Sequence, residues 1–182
     1  MRDLLRQRSN HTAPGQALVL MAFILTLLIM LFLTSIEVGA RYYERAQIED
    51  ALKQATRSAV QAFDYAAFAH GGQQLRETRA ISIRGCTNLT PQSARALACT
   101  VLLSNLSGVR GVQDTPSQTA ARVQWTLLPQ GGTCAFPNGH PAVTYTTPAV
   151  CATLLPRMTG LLGWGTWTPQ IDAADTLDHI GP

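Results

Sequence analysis

Residues 17–36 read ALVLMAFILTLLIMLFLTSI, 20 positions without a charged side chain and with only Thr26, Thr34 and Ser35 polar. As an α-helix at about 1.5 Å per residue, such a run covers roughly 30 Å, the thickness of a bilayer's hydrocarbon core. A helix is the one single-segment structure that satisfies its own backbone hydrogen bonds in that medium. The competing reading is a buried core helix, but core helices are usually shorter and seldom apolar on every face. The run therefore predicts a transmembrane helix over 17–36, and with it a chain anchored in a lipid bilayer.

Flanking charge predicts the orientation. Arg2, Arg6 and Arg8 precede the run together with the amino terminus, and Arg41 and Arg45 follow it. The excess on the amino-terminal side favours that end in the cytoplasm and the long carboxy-terminal part outside, periplasmic or extracellular. Val38-Gly39-Ala40 would make a passable signal-peptidase site, but the run exceeds the usual apolar length of a cleaved signal, so an uncleaved signal anchor is expected.

The cysteines agree with this topology. Cys86, Cys99, Cys134 and Cys151 all lie beyond the run, and an even set on an exported side suggests disulfides. Three connectivities are possible, and the sequence-local one, Cys86–Cys99 with Cys134–Cys151, is favoured. Free thiols in a domain facing the cytoplasm are the alternative. Net charge is +3, with one lysine, Lys53, among the 14 basic residues and no basic cluster beyond Arg84. Nucleic acid has no electrostatic footprint to grip.

Outward from the run the organisation is expected as follows. Residues 1–16 form a polar cytoplasmic arm, 17–36 the span, 37–72 an extramembrane continuation of the helix, and 73–182 a small exported domain. The segment from Glu37 to Ala69 contains no proline. Ile48, Leu52, Ala55, Ala59, Phe63 and Ala66 recur at helical spacing, and Glu49–Lys53 and Glu37–Arg41 sit at the favourable i, i+4 order. A near-continuous helix from about Ala17 to Ala69 is predicted, stopped by His70-Gly71-Gly72. Its apolar stripe needs a cover, either the chain's own carboxy-terminal part or a neighbouring subunit.

Past Gly72 the elements are short. Residues 80–84 (AISIR) read as a strand. Thr90-Pro91 reads as a helix start, with Thr capping and Pro in the first helical position, followed by a stripe of Ala94, Leu97, Ala98, Val101 and Leu102 that Gly108 closes. Ala121, Val123, Trp125 and Leu127 alternate as in a half-buried strand, Val143, Tyr145 and Thr147 alternate again, and 149–155 reads as a further strand. Gly131-Gly132 and Pro137-Asn138-Gly139 read as turns. The fold class is thus α+β and membrane-anchored: one long amino-terminal transmembrane helix continues into an extramembrane helix that packs with a small antiparallel sheet and a short helix.

The segment Ser35-Ile36-Glu37-Val38-Gly39-Ala40-Arg41-Tyr42-Tyr43, followed by Ala51-Leu52-Lys53-Gln54-Ala55-Thr56-Arg57-Ser58-Ala59, resembles the TadE/TadG-like proteins of tight-adherence (Flp-type) pilus assembly. The resemblance covers roughly 15–62, with a fainter echo in Leu154-Leu155-Pro156, Gly160 to Trp167 and Asp172-Ala173-Ala174. It implies a structural component or minor pilin in a bacterial cytoplasmic membrane. One family feature is missing: in the peptidase site Gly is followed five residues later by Glu, whereas here Gly15 is followed by Gln16 and position 20 is Leu20. The proline common in the family's span is also absent. Cleavage after Gly15 is not expected. An accessory subunit of another multisubunit membrane assembly, such as an electron-transfer complex, is the second reading, and a membrane-anchored enzyme the third.

No pattern asks for catalysis or a cofactor. There is no Gly-x-Ser-x-Gly elbow, phosphate loop, His-Glu-x-x-His or Cys-x-x-Cys-His. His11, His70, His140 and His179 are isolated. Cys134 with His140 lacks the second close pair a metal site would need. Asp172, Asp175 and Asp178 lie three apart and read as a solvated helix face. Glu37 sits where the run ends, either as a polar contact with a partner's span or as an interfacial residue paired with Arg41. Tyr42 and Tyr43 fit the aromatic belt at headgroup level. Trp164 and Trp167 read as domain core in preference to a docking surface. Asn10, Asn88 and Asn105 begin glycosylation-type triplets, of consequence only in a eukaryotic secretory pathway.

Overall fold

The computed structural model describes residues 14–77 and 79–177. The polar arm over 1–13, with Arg2, Arg6, Arg8 and His11, and the tail residues Asp178 and His179 lie outside the described residues. The chain divides into two compact units between Gly39 and Ala40. Helix α1 (Pro14–Val60) contributes to both.

In the first unit, α1 carries the apolar run. Residues 17–36 are solvent-exposed apart from Leu33, which is half-buried. The three polar side chains are satisfied within the helix. Thr26 donates to the carbonyl of Ala22 at 2.9 Å, Thr34 to that of Met30 at 2.8 Å and Ser35 to that of Leu31 at 2.8 Å. Among the described residues, α1 is the one helix long and apolar enough to cross a membrane.

The second unit is an α+β domain. From Ala40 on, α1 buries Glu44, Ile48, Ala51, Leu52, Ala55, Thr56, Ala59 and Val60, a stripe at spacings of three and four. The helix stops at Val60, earlier than the predicted Ala69. Phe63 leaves the helix to bridge Leu75, and Asp64 caps a separate short helix, α2 (Tyr65–Ala69), accepting from the amides of Ala66 and Ala67. Phe63 is thus only half-buried and Ala66 is exposed. The glycine stop works as predicted, but on α2: Gly71 has φ +78, and the amide of Gly72 reaches the carbonyl of Ala67.

The main sheet comprises β1 (Ile81–Arg84), β2 (Gln124–Leu128), β5 (Ala149–Leu154) and β8 (Ile171–Thr176), in the order β1-β2-β5-β8 and antiparallel throughout. Two ribbons complete the β structure, β3 (Gly132–Cys134) with β4 (Val143–Tyr145) and β6 (Met158–Thr159) with β7 (Thr166–Trp167). Helix α3 (Ala94–Leu106) begins three residues later than predicted. Thr90-Pro91 makes a turn closed by the Ser93 amide on the Thr90 carbonyl, Gln92 takes a positive φ, and Ser93 caps the helix through the amide of Ala96. Leu97 is 40% exposed, and Cys99 takes the inward place the stripe had given it. A further one-turn helix, α4 (Pro116–Ala120), is held by a capping box between Thr115 and Gln118.

One core joins these elements. Ile48, Leu52 and Ala55 of α1, Ala98 and Leu102 of α3, and Trp125, Leu127, Val150, Ala152 and Leu154 of the sheet form a single buried cluster. The helical stripe is therefore covered by the chain's own carboxy-terminal domain. Strand β5 is buried at every position because its alternate residues, Ala149 and Cys151, face a second small cluster with Leu128 and Cys134 beneath the β3–β4 ribbon.

Strand β8 corrects the reading of the aspartates. Asp172 and Asp175 lie on a strand, not a helix face, with Ile171 and Ala173 turned into the core. Six register pairs with β5, from Leu154–Ile171 to Ala149–Thr176, outweigh the weak strand preference of IDAADT.

Candidate membrane anchor and interaction surface

The cysteines stand in two pairs at disulfide distance, Cys86 with Cys99 and Cys134 with Cys151, with Cα separations of 5.6 and 6.1 Å. These are the sequence-local partners. The first pair ties the loop after β1 to α3, and the second ties the β3–β4 ribbon to the central strand β5.

Glu37, at the close of the apolar run, is 3% exposed. Tyr42 and Tyr43 project from α1 and are 71% and 66% exposed. Arg41, on the next turn after Glu37, reaches the β6–β7 hairpin. Its guanidinium donates to the carbonyl of Trp164 and lies 4.5 Å from the centroid of the Trp167 ring. The planar guanidinium suits both contacts at once, stacking on a ring face while its edge donates.

This contact is what sequence reasoning missed. Trp167 is half-buried against the core as expected, but Trp164 is 45% exposed at the hairpin tip, and Trp125 is the fully buried tryptophan. The signal lay in the tip's composition: GLLGWG at 160–165 is uncharged and turned by glycines.

Glu44 is a second carboxylate the sequence did not single out. It is 7% exposed, and its side chain packs on the backbone of Gly111, whose φ is +75.

His140 bonds Asp172, not a cysteine. Asp172 also accepts from Thr153 at 2.7 Å and from Gln170 at 2.7 Å, while Gln170 donates to the carbonyl of Pro137 at 3.0 Å. The network fastens the 137–140 turn to β8. Among the described residues no group of three or more His, Cys, Asp or Glu is placed to hold a metal ion.

An open cleft of about 650 Å³ is bounded by β1, the 90–93 turn and the start of α3. Its charged groups are committed to the backbone around it. Arg95 donates to the carbonyls of Thr87 at 3.0 Å and Asn88 at 2.7 Å, Arg76 donates to the carbonyl of Gln92 at 3.1 Å, and Glu77 accepts from the amide of Ala94 at 2.9 Å. These bonds hold an irregular loop with two positive-φ residues, Asn88 and Gln92, in place.

The fold and the surface define a small disulfide-paired α+β domain on a helix of membrane-spanning length. Comparison with protein-family models, curated proteins and solved structures finds no match.

Proposed function

We propose that this chain is a non-enzymatic, single-span membrane protein with a structural role, a TadE/TadG-like component of pilus assembly or a minor pilin. Residues 17–36 cross a bacterial cytoplasmic membrane, with the amino terminus in the cytoplasm and the disulfide-bearing domain periplasmic or extracellular. The chain acts by contact: the span packs against partner helices through close van der Waals fit, and the exported domain braces a neighbouring subunit.

One observation carries the reading. Apart from half-buried Leu33 the run is exposed, while its hydroxyls bond back to the helix. A core helix would be covered by the rest of the chain, and this run is not; lipid is the solvent in which such a surface is stable. The paired cysteines support an oxidising compartment for the domain. The resemblance of 35–43 and 51–59 to the pilus-assembly family supports the role.

A second reading, an accessory subunit of another multisubunit membrane assembly, is favoured by one feature. The glutamate that directs pilin processing is missing five residues after Gly15. Crosslinking in membranes followed by affinity purification and mass spectrometry separates the two. Pilus secretion components support the first, and redox or transport subunits the second. Amino-terminal sequencing of the mature protein tests the anchor: a start beyond Arg41 would mark 17–36 as a cleaved signal and end both readings.

A further inference from the structure

We propose that the hairpin tip at residues 160–165 is a second membrane contact, placing Leu161 and Trp164 in the headgroup region of the bilayer that holds α1. The inference rests on residues 17–36 being the span.

The tip is built to present apolar side chains. Strands β6 and β7 pair Met158 with Trp167 and Thr159 with Thr166, and the chain between them turns through Gly163 at φ +71 and Gly165 at φ +80. Neither glycine has a neighbour within 4 Å of its missing β-carbon, so both serve the turn and not a close approach. The remaining positions carry Leu161, Leu162 and Trp164, which are 64%, 39% and 45% exposed. Surface turns usually carry polar residues, and a cluster of large apolar side chains at a tip marks a contact with something else.

The second observation is the tether. Arg41 holds the tip through the Trp164 carbonyl and the Trp167 ring. Arg41 comes five residues after Ile36, the end of the apolar run, and α1 is continuous between them. Those five residues set the greatest distance that can separate Arg41 from the end of the run. Even fully extended they would span no more than about 18 Å. The attachment of the tip on Arg41 is thereby kept within that reach of the end of the run.

The side chains suit the headgroup region. An indole offers an apolar body and one N–H donor, the combination enriched at the membrane interface. Tyr42 and Tyr43, exposed beside Arg41, add the same chemistry. Lipid is favoured over a protein partner because residues 160–165 contain no charged or amide side chain to specify one.

The test compares the full chain with Trp164→Phe, each reconstituted in phosphatidylcholine vesicles brominated high on the acyl chains. Bromolipid is expected to quench part of the tryptophan emission of the unaltered chain, and Trp164→Phe to lose most of that quenching, since Trp125 is buried and Trp167 is half-buried against the core with its ring covered by the Arg41 guanidinium. Equal quenching in the two proteins, or none in either, overturns the proposal and leaves the tip to a protein partner. The same vesicles are floated after alkaline washing. Retention of both proteins without Trp164 quenching defeats the tip contact alone, whereas release of both defeats the span and the tip together.

Discussion

The carboxylate of Glu44 fills the space that a side chain at position 111 would need: a β-carbon on Gly111 would stand 2.0 Å from Oε2 and 2.2 Å from Cδ. Gly111 is also at φ +75, in the left-handed region. Both requirements point to glycine, and they lock the loop before α4 onto α1. Gly111→Ala is expected to destabilise the domain by about 2–4 kcal/mol, through steric displacement of a buried carboxylate and backbone strain together. Gly139→Ala, at φ +77 with nothing within 4 Å, isolates the backbone part and should cost about 1–2 kcal/mol. Urea unfolding of the detergent-solubilised chain measures both, and a smaller Gly111→Ala penalty in a Glu44→Ala background would confirm the coupling.

Each cysteine pair closes a short loop, with sequence separations of 13 and 17. Loop-closure entropy then gives about 3 kcal/mol for each, and the two should differ by only a few tenths. Replacing either pair by alanines should lower the unfolding midpoint by similar amounts. Non-reducing peptide mapping checks the pairing directly, and four alkylatable thiols in the native protein would contradict it.

Leu27 lies in the middle of the apolar run. Leu27→Arg should raise the apparent cost of membrane insertion by about 2.5–3.5 kcal/mol. A large fall in the fraction resistant to alkaline extraction is the expected readout. An unchanged fraction would show that the run does not sit in lipid.

Leu52 and Leu97 test the two helical stripes. Leu52 is 0% exposed in the main core, so Leu52→Ala should cost about 2–5 kcal/mol. Leu97, although part of the predicted stripe, is 40% exposed, and Leu97→Ala should change stability by no more than about 1 kcal/mol. Thermal unfolding of the two variants side by side gives the contrast.

Arg41 holds the 160–165 tip by stacking and by donation together. Arg41→Ala should accelerate amide hydrogen exchange across 158–167 while leaving exchange in α3 unchanged. Arg41→Lys should fall between the two, because an ammonium keeps the charge but loses the planar stack.

Much of this architecture is written locally. An uncharged run of 20 residues needs no tertiary partner to be recognised as membrane-spanning in length, because the criterion is length and side-chain chemistry alone. The stripe of Ile48, Leu52, Ala55 and Ala59 and the alternation of Val123, Trp125 and Leu127 were equally legible, since each period follows from the geometry of a single element. The cysteine partners were legible as a preference, from short spacing. What the sequence left open was set by contacts between distant segments. The end of α1 at Val60 depends on the Phe63–Leu75 bridge, and β8 exists as a strand because β5 offers it a full edge. The bond held by the Trp164 carbonyl and the need for glycine at 111 come from Arg41 and Glu44, residues 123 and 67 positions away respectively. Periodicity reports which face of an element is apolar, but which other segment meets that face is a property of the packed domain.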